Sequence, residues 1–280
     1  MQMKQRCFAI ACCVALPLLY GCGTTNYGDN QFKLSMASSG KDVMWVPTKV
    51  EMADQMLSLA QVRQGDLVYD LGSGDGVIPI EAAKKYRVRA VGIEYSPDLV
   101  KLSQRNAERA KVENLVIFKQ GDIFVEDFSN ATVLTLYLGE NLNTRLMPTI
   151  LKMQAGTRVV SNTFRMESWM PDQEVRISNG EMAYLWIVPA SIDGSWQWKG
   201  PSGLGDVRLV VRQKKQFFDG ALYQGSKQIA QFEDGRIRGS DLEFAFAHQN
   251  TNYVFKGRVN GPSMTGMLNN NSVLAVSGWR

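Results

Sequence analysis

Asp70, Gly72, Gly74 and Gly76 stand at alternating positions in Val68-Tyr69-Asp70-Leu71-Gly72-Ser73-Gly74-Asp75-Gly76, with Glu94 and Asp122 further along the chain. Residues of these types at this spacing can hold a nucleotide. Glycine tolerates positive φ and lets the backbone approach a ligand, and the N-terminus of a following helix offers free N–H groups. A carboxylate at the tip of the next strand can accept the hydroxyls of a ribose. For this chemistry the loop and both acids must meet at one edge of a sheet, so the surrounding elements have to place them there.

The flanking sequence supplies such elements. An apolar run at 67–71 predicts a buried strand, and 77–86 predicts a helix whose Pro79 sits in its first turn, where proline is tolerated. Strands follow at 88–94, 115–119, 132–138 and 157–163, with a helix from Ser96-Pro97-Asp98 to about residue 111, capped by Ser96. Pro148 predicts an interrupted segment, a short turn after Asn141 and a helix from near Met147. Upstream, Thr48 and Glu51 have the spacing of a capping box and predict a helix at 48–62. The runs at 174–177 and 182–188 predict a hairpin that closes the sheet. Alternating strands and helices of this kind imply a mostly parallel, doubly wound α/β sheet that binds ligands beyond the C-terminal ends of its strands.

Past residue 190 the pattern changes to about eight short β-type runs without helical periodicity, which predicts an all-β antiparallel sheet or small barrel at 191–280. Its function is open between an appendage and an element of substrate selection.

Together, Asp70-x-Gly72-x-Gly74-x-Gly76, Glu94 and Asp122 resemble the Rossmann-like, seven-stranded methyltransferases that use S-adenosylmethionine. The competing dinucleotide fingerprint needs glycine or alanine three residues after its second glycine, and Val77 occupies that position. A nicotinamide oxidoreductase is thereby a distant alternative. The resemblance implies S-adenosylmethionine as cofactor: Glu94 on the ribose, Asp122 with Ile123 at the adenine, and Asp70, Gly72, Ser73, Gly74 and Gly76 around the methionine part. It also implies direct methyl displacement, which depends on alignment and proximity and requires no metal.

The stretches Tyr137-Leu138-Gly139-Glu140-Asn141 and Gly156-Thr157-Arg158-Val159-Val160-Ser161-Asn162 are similar to parts of Dot1-like lysine methyltransferases. That similarity implies a protein lysine as methyl acceptor, with Tyr137 and Glu140 lining its pocket. Asn/Asp-Pro-Pro-Tyr/Phe, the acceptor loop of the DNA and glutamine amino-methylating enzymes, is absent. So are a His-Glu-x-x-His zinc pattern and any partner motif for His248, the one histidine.

Lys4 and Arg6, an apolar run from Cys7 to Tyr20, and Leu19-Tyr20-Gly21-Cys22 read as a secretory signal ending in a lipobox-like motif, with Cys22 as the lipidation site. An uncleaved membrane anchor is the alternative. Residues 1–22 thus form a leader, 23–43 a polar tether, 44–190 the cofactor domain and 191–280 the β-rich domain. All four cysteines lie in the leader, which leaves no thiol nucleophile or zinc–thiolate site in the body. Net charge is +4, and removal of Lys4 and Arg6 with the leader lowers it to +2, which gives no case for nucleic acid as a partner. An extracytoplasmic location conflicts with a cofactor made in the cytosol. A lipid-anchored, non-catalytic scaffold built on the same fold is therefore the alternative to an enzyme.

Overall fold

The computed structural model describes residues 26–177, 180–199, 204–269 and 271–277. Cys22 and the whole leader lie outside them, as does the tip of the hairpin turn at 178–179. The first half is a seven-stranded sheet in the order β3-β2-β1-β4-β5-β7-β6. Its strands are β1 Leu67–Leu71, β2 Arg89–Glu94, β3 Val116–Gln120, β4 Val133–Leu136, β5 Arg158–Asn162, β6 Gln173–Arg176 and β7 Met182–Ile187. The first five run parallel, whereas β7 is antiparallel to β5 and to β6.

Strand side chains alternate between two cores, as the two-residue period of a strand requires. Val68, Ala90, Val133 and Val160 face helices α1 Val50–Leu59, α2 Val77–Tyr86 and α3 Pro97–Arg109. Their chain neighbours Tyr69, Val91, Leu134 and Val159 face α4 Glu140–Ile150 and the paired indoles of Trp169 and Trp186. Both faces are therefore covered, and the strands read as continuous apolar runs because both of their faces are buried.

Two local expectations are corrected. The Thr48–Glu51 capping box does not form: α1 starts at Val50 with Lys49 at its N-cap and no side-chain cap. α4 is a single helix through Pro148 rather than a turn followed by a later helix. A mid-helix proline costs about 3 kcal/mol, but this one lies in the last turn, and Leu142, Leu146 and Ile150 bury a continuous stripe. That packing outweighs one lost hydrogen bond.

The second half is a closed antiparallel barrel, in the order β10-β11-β12-β13-β14-β15-β8-β9. Its strands are β8 Gly194–Lys199, β9 Asp206–Lys214, β10 Phe217–Gln224, β11 Lys227–Arg238, β12 Asp241–His248, β13 Thr251–Asn260, β14 Ser263–Leu268 and β15 Asn271–Ser277. Closure leaves no unpaired strand edge. The interior is filled by Trp198, Phe218, Phe232, Phe244 and Phe255, with Phe232 and Phe244 stacked at 4.4 Å and Trp198 edge-on to Phe255 at 5.1 Å. It is a packed core, not a ligand chamber. His248 is half-buried at the end of β12, with Nδ1 3.1 Å from the carbonyl of Ile229.

The barrel meets the sheet on the β5–β7 side. Ala190 N–H donates to the Gly239 carbonyl at 2.7 Å, and Gln216 Nε2 donates to the Met170 carbonyl at 2.6 Å. Lys215 reaches the carbonyl and hydroxyl of Ser168.

Residues 26–43, expected as part of a polar tether, instead pack against the sheet domain. Leu34 is buried against Leu99 and Leu102 of α3. Asp29 accepts two hydrogen bonds from Arg105, at 2.6 and 3.0 Å, and this guanidinium holds the carboxyl well below its ordinary range. Composition suggested a tether because the anchoring residues are few and widely spaced.

Candidate active site

β1 ends at Leu71, and the glycine loop turns back across the C-terminal edge of the sheet before α2 begins. At Gly74, φ is 53°, and a Cβ there would lie 2.6 Å from Nε1 of Trp45. At Gly76, the N-cap of α2, φ is 86°, and a Cβ would lie 2.5 Å from Phe118 and 2.8 Å from Ser103. The first glycine makes room for the cleft wall, and the second lets the loop pack on the sheet and α3.

Glu94, at the tip of β2, ties this loop to α3. Its Oε2 accepts the Gly74 N–H and its Oε1 the Ser96 N–H, both at 2.9 Å. Asp70 is buried, with Thr135 Oγ1 donating to its Oδ1 at 2.6 Å. Burial, reinforced by the nearby charges of Glu94 and Asp75, raises its pKa to about 7. Burial likewise raises Asp75 to about 6. Asp122 follows β3, where its Oδ1 accepts the Phe124 N–H at 3.0 Å and its Oδ2 pairs with Lys41 Nζ at 2.6 Å. That ammonium lowers the carboxyl's pKa.

These residues line one cleft. Asp70, Gly72, Ser73, Gly74, Glu94, Asp122, Ile123 and Tyr137 all face it. Gly76 does not, since its part is structural. Glu140 is also separated from the others: it is exposed at the start of α4 and lines a neighbouring depression with Asn141, Thr144, Arg145 and Glu167. Tyr137, directly after β4, lines the cleft, whereas Glu140, at the first turn of α4, lies outside its lining. Tyr137 is half-buried and stacks on Phe164 at 6.0 Å. Burial first, then the charge of Glu181, raises its phenol pKa. It is therefore a neutral hydrogen-bonding group and not a base.

Lys41, Trp45, Tyr95, Leu138 and Leu142 also line the cleft and were not singled out in the sequence. Tyr95 directly follows Glu94, and Leu138 directly follows Tyr137, so strand-end position was an available signal for both. Lys41 carried none, because its contact with Asp122 spans 81 residues. Among the described residues no barrel side chain lines the cleft, and no cluster able to hold a metal occurs.

A parallel sheet with a glycine loop and acids at its carboxyl edge defines a nucleotide-binding α/β enzyme site. Residues 70–173 match the ANTKMT methyltransferase domain. A protein-lysine N-methyltransferase of Saccharolobus islandicus is 38% identical over 151 residues, covering 52% of this chain and 94% of that protein. The mouse adenine nucleotide translocase lysine N-methyltransferase is 30% identical over 130 residues, covering 46% of this chain and 56% of that protein, little more than half its length. A crystal structure of an RNA methyltransferase from Salinibacter ruber, in complex with S-adenosyl-L-homocysteine, is 48% identical. It covers 52% of this chain and 96% of that one, with a TM-score of 0.51. The chain belongs to the S-adenosylmethionine-dependent methyltransferases that carry this domain. It is an enzyme, and the scaffold alternative finds no support in these comparisons.

The cleft fits this cofactor. Asp42, Asp70, Asp75, Glu94 and Asp122 face it, with Lys41 as the one basic residue of its lining among the described residues. Ser73 Oγ is buried without a partner. Such a site calls for a ligand that brings positive charge and polar atoms, and a sulfonium amino acid joined to a nucleoside brings both.

Proposed function

We propose that this enzyme methylates lysine side chains of protein. The likeness to the Saccharolobus protein-lysine N-methyltransferase carries this reading, since this chain covers 94% of that protein at 38% identity. The mouse relative named for lysine methylation supports the same choice.

In this reading Glu94 holds the ribose hydroxyls, Asp122 and Ile123 the adenine edge, and the Gly72–Gly74 loop with Asp70 the methionine end. When bound, S-adenosylmethionine supplies an electrophilic methyl group. Everything else falls to the chain. The loop and Glu94 fix the cofactor's position, the strap carrying Trp45 shields the cleft from water, and Tyr137 orients the acceptor. A lysine with an ordinary pKa near 10.4 must lose a proton before it reacts. The neutral phenol of Tyr137, which lines the cleft, can accept a hydrogen bond from the incoming amine.

The test is transfer of tritium-labelled methyl groups from S-adenosylmethionine into a cell extract. Label that survives ribonuclease, is lost to protease and is recovered as methyl-lysine after hydrolysis supports the reading. Label recovered in RNA refutes it.

We also propose that Cys22 is lipidated and anchors the enzyme to a membrane on the extracytoplasmic face. The support is the lipobox-like sequence. Among the described residues no helix is long and apolar enough to cross a membrane. Cys22→Ala should release the protein into the soluble fraction, and persistent membrane association in that variant would count against lipidation.

A further inference from the structure

The cofactor cleft is walled partly by a segment outside the matched methyltransferase domain, and that segment is held to the cleft in an uneven way. Its two ends are fixed. Upstream, Leu34 is buried on α3 and Asp29 is paired with Arg105. Downstream, Trp45 lies against Gly74 and meets the ring of Tyr27 edge-on at 5.5 Å. Between them the backbone closes a loop: Trp45 N–H donates to the Ser38 carbonyl at 2.8 Å, and Ala37 N–H donates to the Trp45 carbonyl at 2.9 Å.

Lys41 lies in the middle of that loop. It reaches across the cleft to Asp122 at 2.6 Å, and its ammonium lies 5.0 Å from the ring centroid of Tyr95. The loop's other large side chains, Val43 and Met44, are exposed. Both members of the ion pair keep solvent contact, with side-chain exposures of 37% and 27%. The loop is therefore firmly rooted at its base and lightly held at its tip.

We propose that residues 38–45 are the gate of the cofactor cleft and that Lys41 is its latch, an inference that rests on the cofactor reading above. The carboxylate that holds the latch is the one assigned to the adenine edge. A cofactor amine that takes Asp122 displaces Lys41, so opening uncovers the cleft and frees its acceptor in one movement. Closing over a bound ligand returns Lys41 to the face of Tyr95, with Trp45 as the fixed hinge side.

The experiment is stopped-flow binding of S-adenosylhomocysteine to the purified full chain, followed by tryptophan fluorescence with Trp45 in the cleft wall as a reporter. In Lys41→Gln, association should accelerate about three- to five-fold, the scale of an exposed ion pair, and dissociation should change less, because the pair with Asp122 holds the cleft only before the ligand arrives. Lys41→Arg should restore slow association. Added salt should speed association in the wild type, because it screens an exposed pair, and should have little effect in Lys41→Gln. Unchanged rates in Lys41→Gln, or faster dissociation with unchanged association, would overturn the gate. Failure of the wild-type chain to bind would overturn the cofactor reading as well, so the two failures are told apart by the wild type.

Discussion

Replacing Asp70 by Asn removes a charge that the fold buries at the floor of the cleft. The folded carboxyl titrates near 7, against an ordinary 3.8. Between those values the folded chain keeps a proton that the unfolded chain releases. The group's contribution to stability is therefore full below the unfolded value and is lost as pH rises through the folded one. From pH 5 to pH 7 this spans about two pKa units, or about 3 kcal/mol at 1.36 kcal/mol per unit. Asn keeps the shape and can accept the Thr135 hydroxyl, but it does not ionise. Allowing about 1 kcal/mol for the weaker hydrogen bond, Asp70→Asn should be more stable than wild type by about 2 to 3 kcal/mol above pH 8, and close to it at pH 4. Its own slope should be shallower and should end near the pKa of Asp75, about 6. The assay is urea unfolding in the absence of ligand, followed by helical circular dichroism, since among the described residues the helices belong to the sheet half. The gain should come with at least ten-fold weaker binding of S-adenosylmethionine, because the ammonium loses its counter-ion. Equal slopes in the two proteins, or lower stability of the variant at pH 8, would refute the reasoning.

Glu94→Ala should abolish measurable cofactor binding by calorimetry, since it removes the proposed ribose acceptor and frees two backbone N–H groups at once; Glu94→Gln, which keeps one acceptor oxygen and sets an amide NH2 against the other backbone N–H, should lose about 1.5 to 3 kcal/mol of binding free energy. Gly76→Ala should destabilise the fold by about 2 to 4 kcal/mol in denaturant, through its positive φ and overpacking against Phe118 and Ser103. Trp198→Ala should cost about 3 to 5 kcal/mol in unfolding of the barrel and leave cofactor affinity unchanged, because no barrel residue among those described lines the cleft. Coupled loss of affinity there would show that the barrel props the site.

The gathering of the glycine loop and the acids at one cleft was legible because its determinants are local. A glycine loop needs positive φ where β1 meets α2, and that need is written in the residue types at 72, 74 and 76. Glu94 and Asp122 could be placed because the end of a parallel strand fixes which edge of the sheet its last residue occupies. The acceptor side was less legible. Tyr137 and Glu140 are three positions apart, yet the backbone changes from strand to helix between them, and only Tyr137 stays at the sheet edge. Pro148 misled because one residue's preference was set against a stripe of burial that spans the whole of α4. Phe164 escaped notice because its meaning comes from the ring beside it.

By itself the sequence determined the α/β sheet, the β-rich half that follows it and the acids of the nucleotide cleft, since hydrophobic period, turn residues and strand-end position are set within a few residues. Tertiary structure alone decided that the β-rich half closes into a filled barrel away from the cleft. It alone decided that an apparent tether folds back to wall the cleft, and that Lys41 meets Asp122. Contacts across such separations depend on how whole elements pack, and no local pattern encodes which distant side chain will arrive.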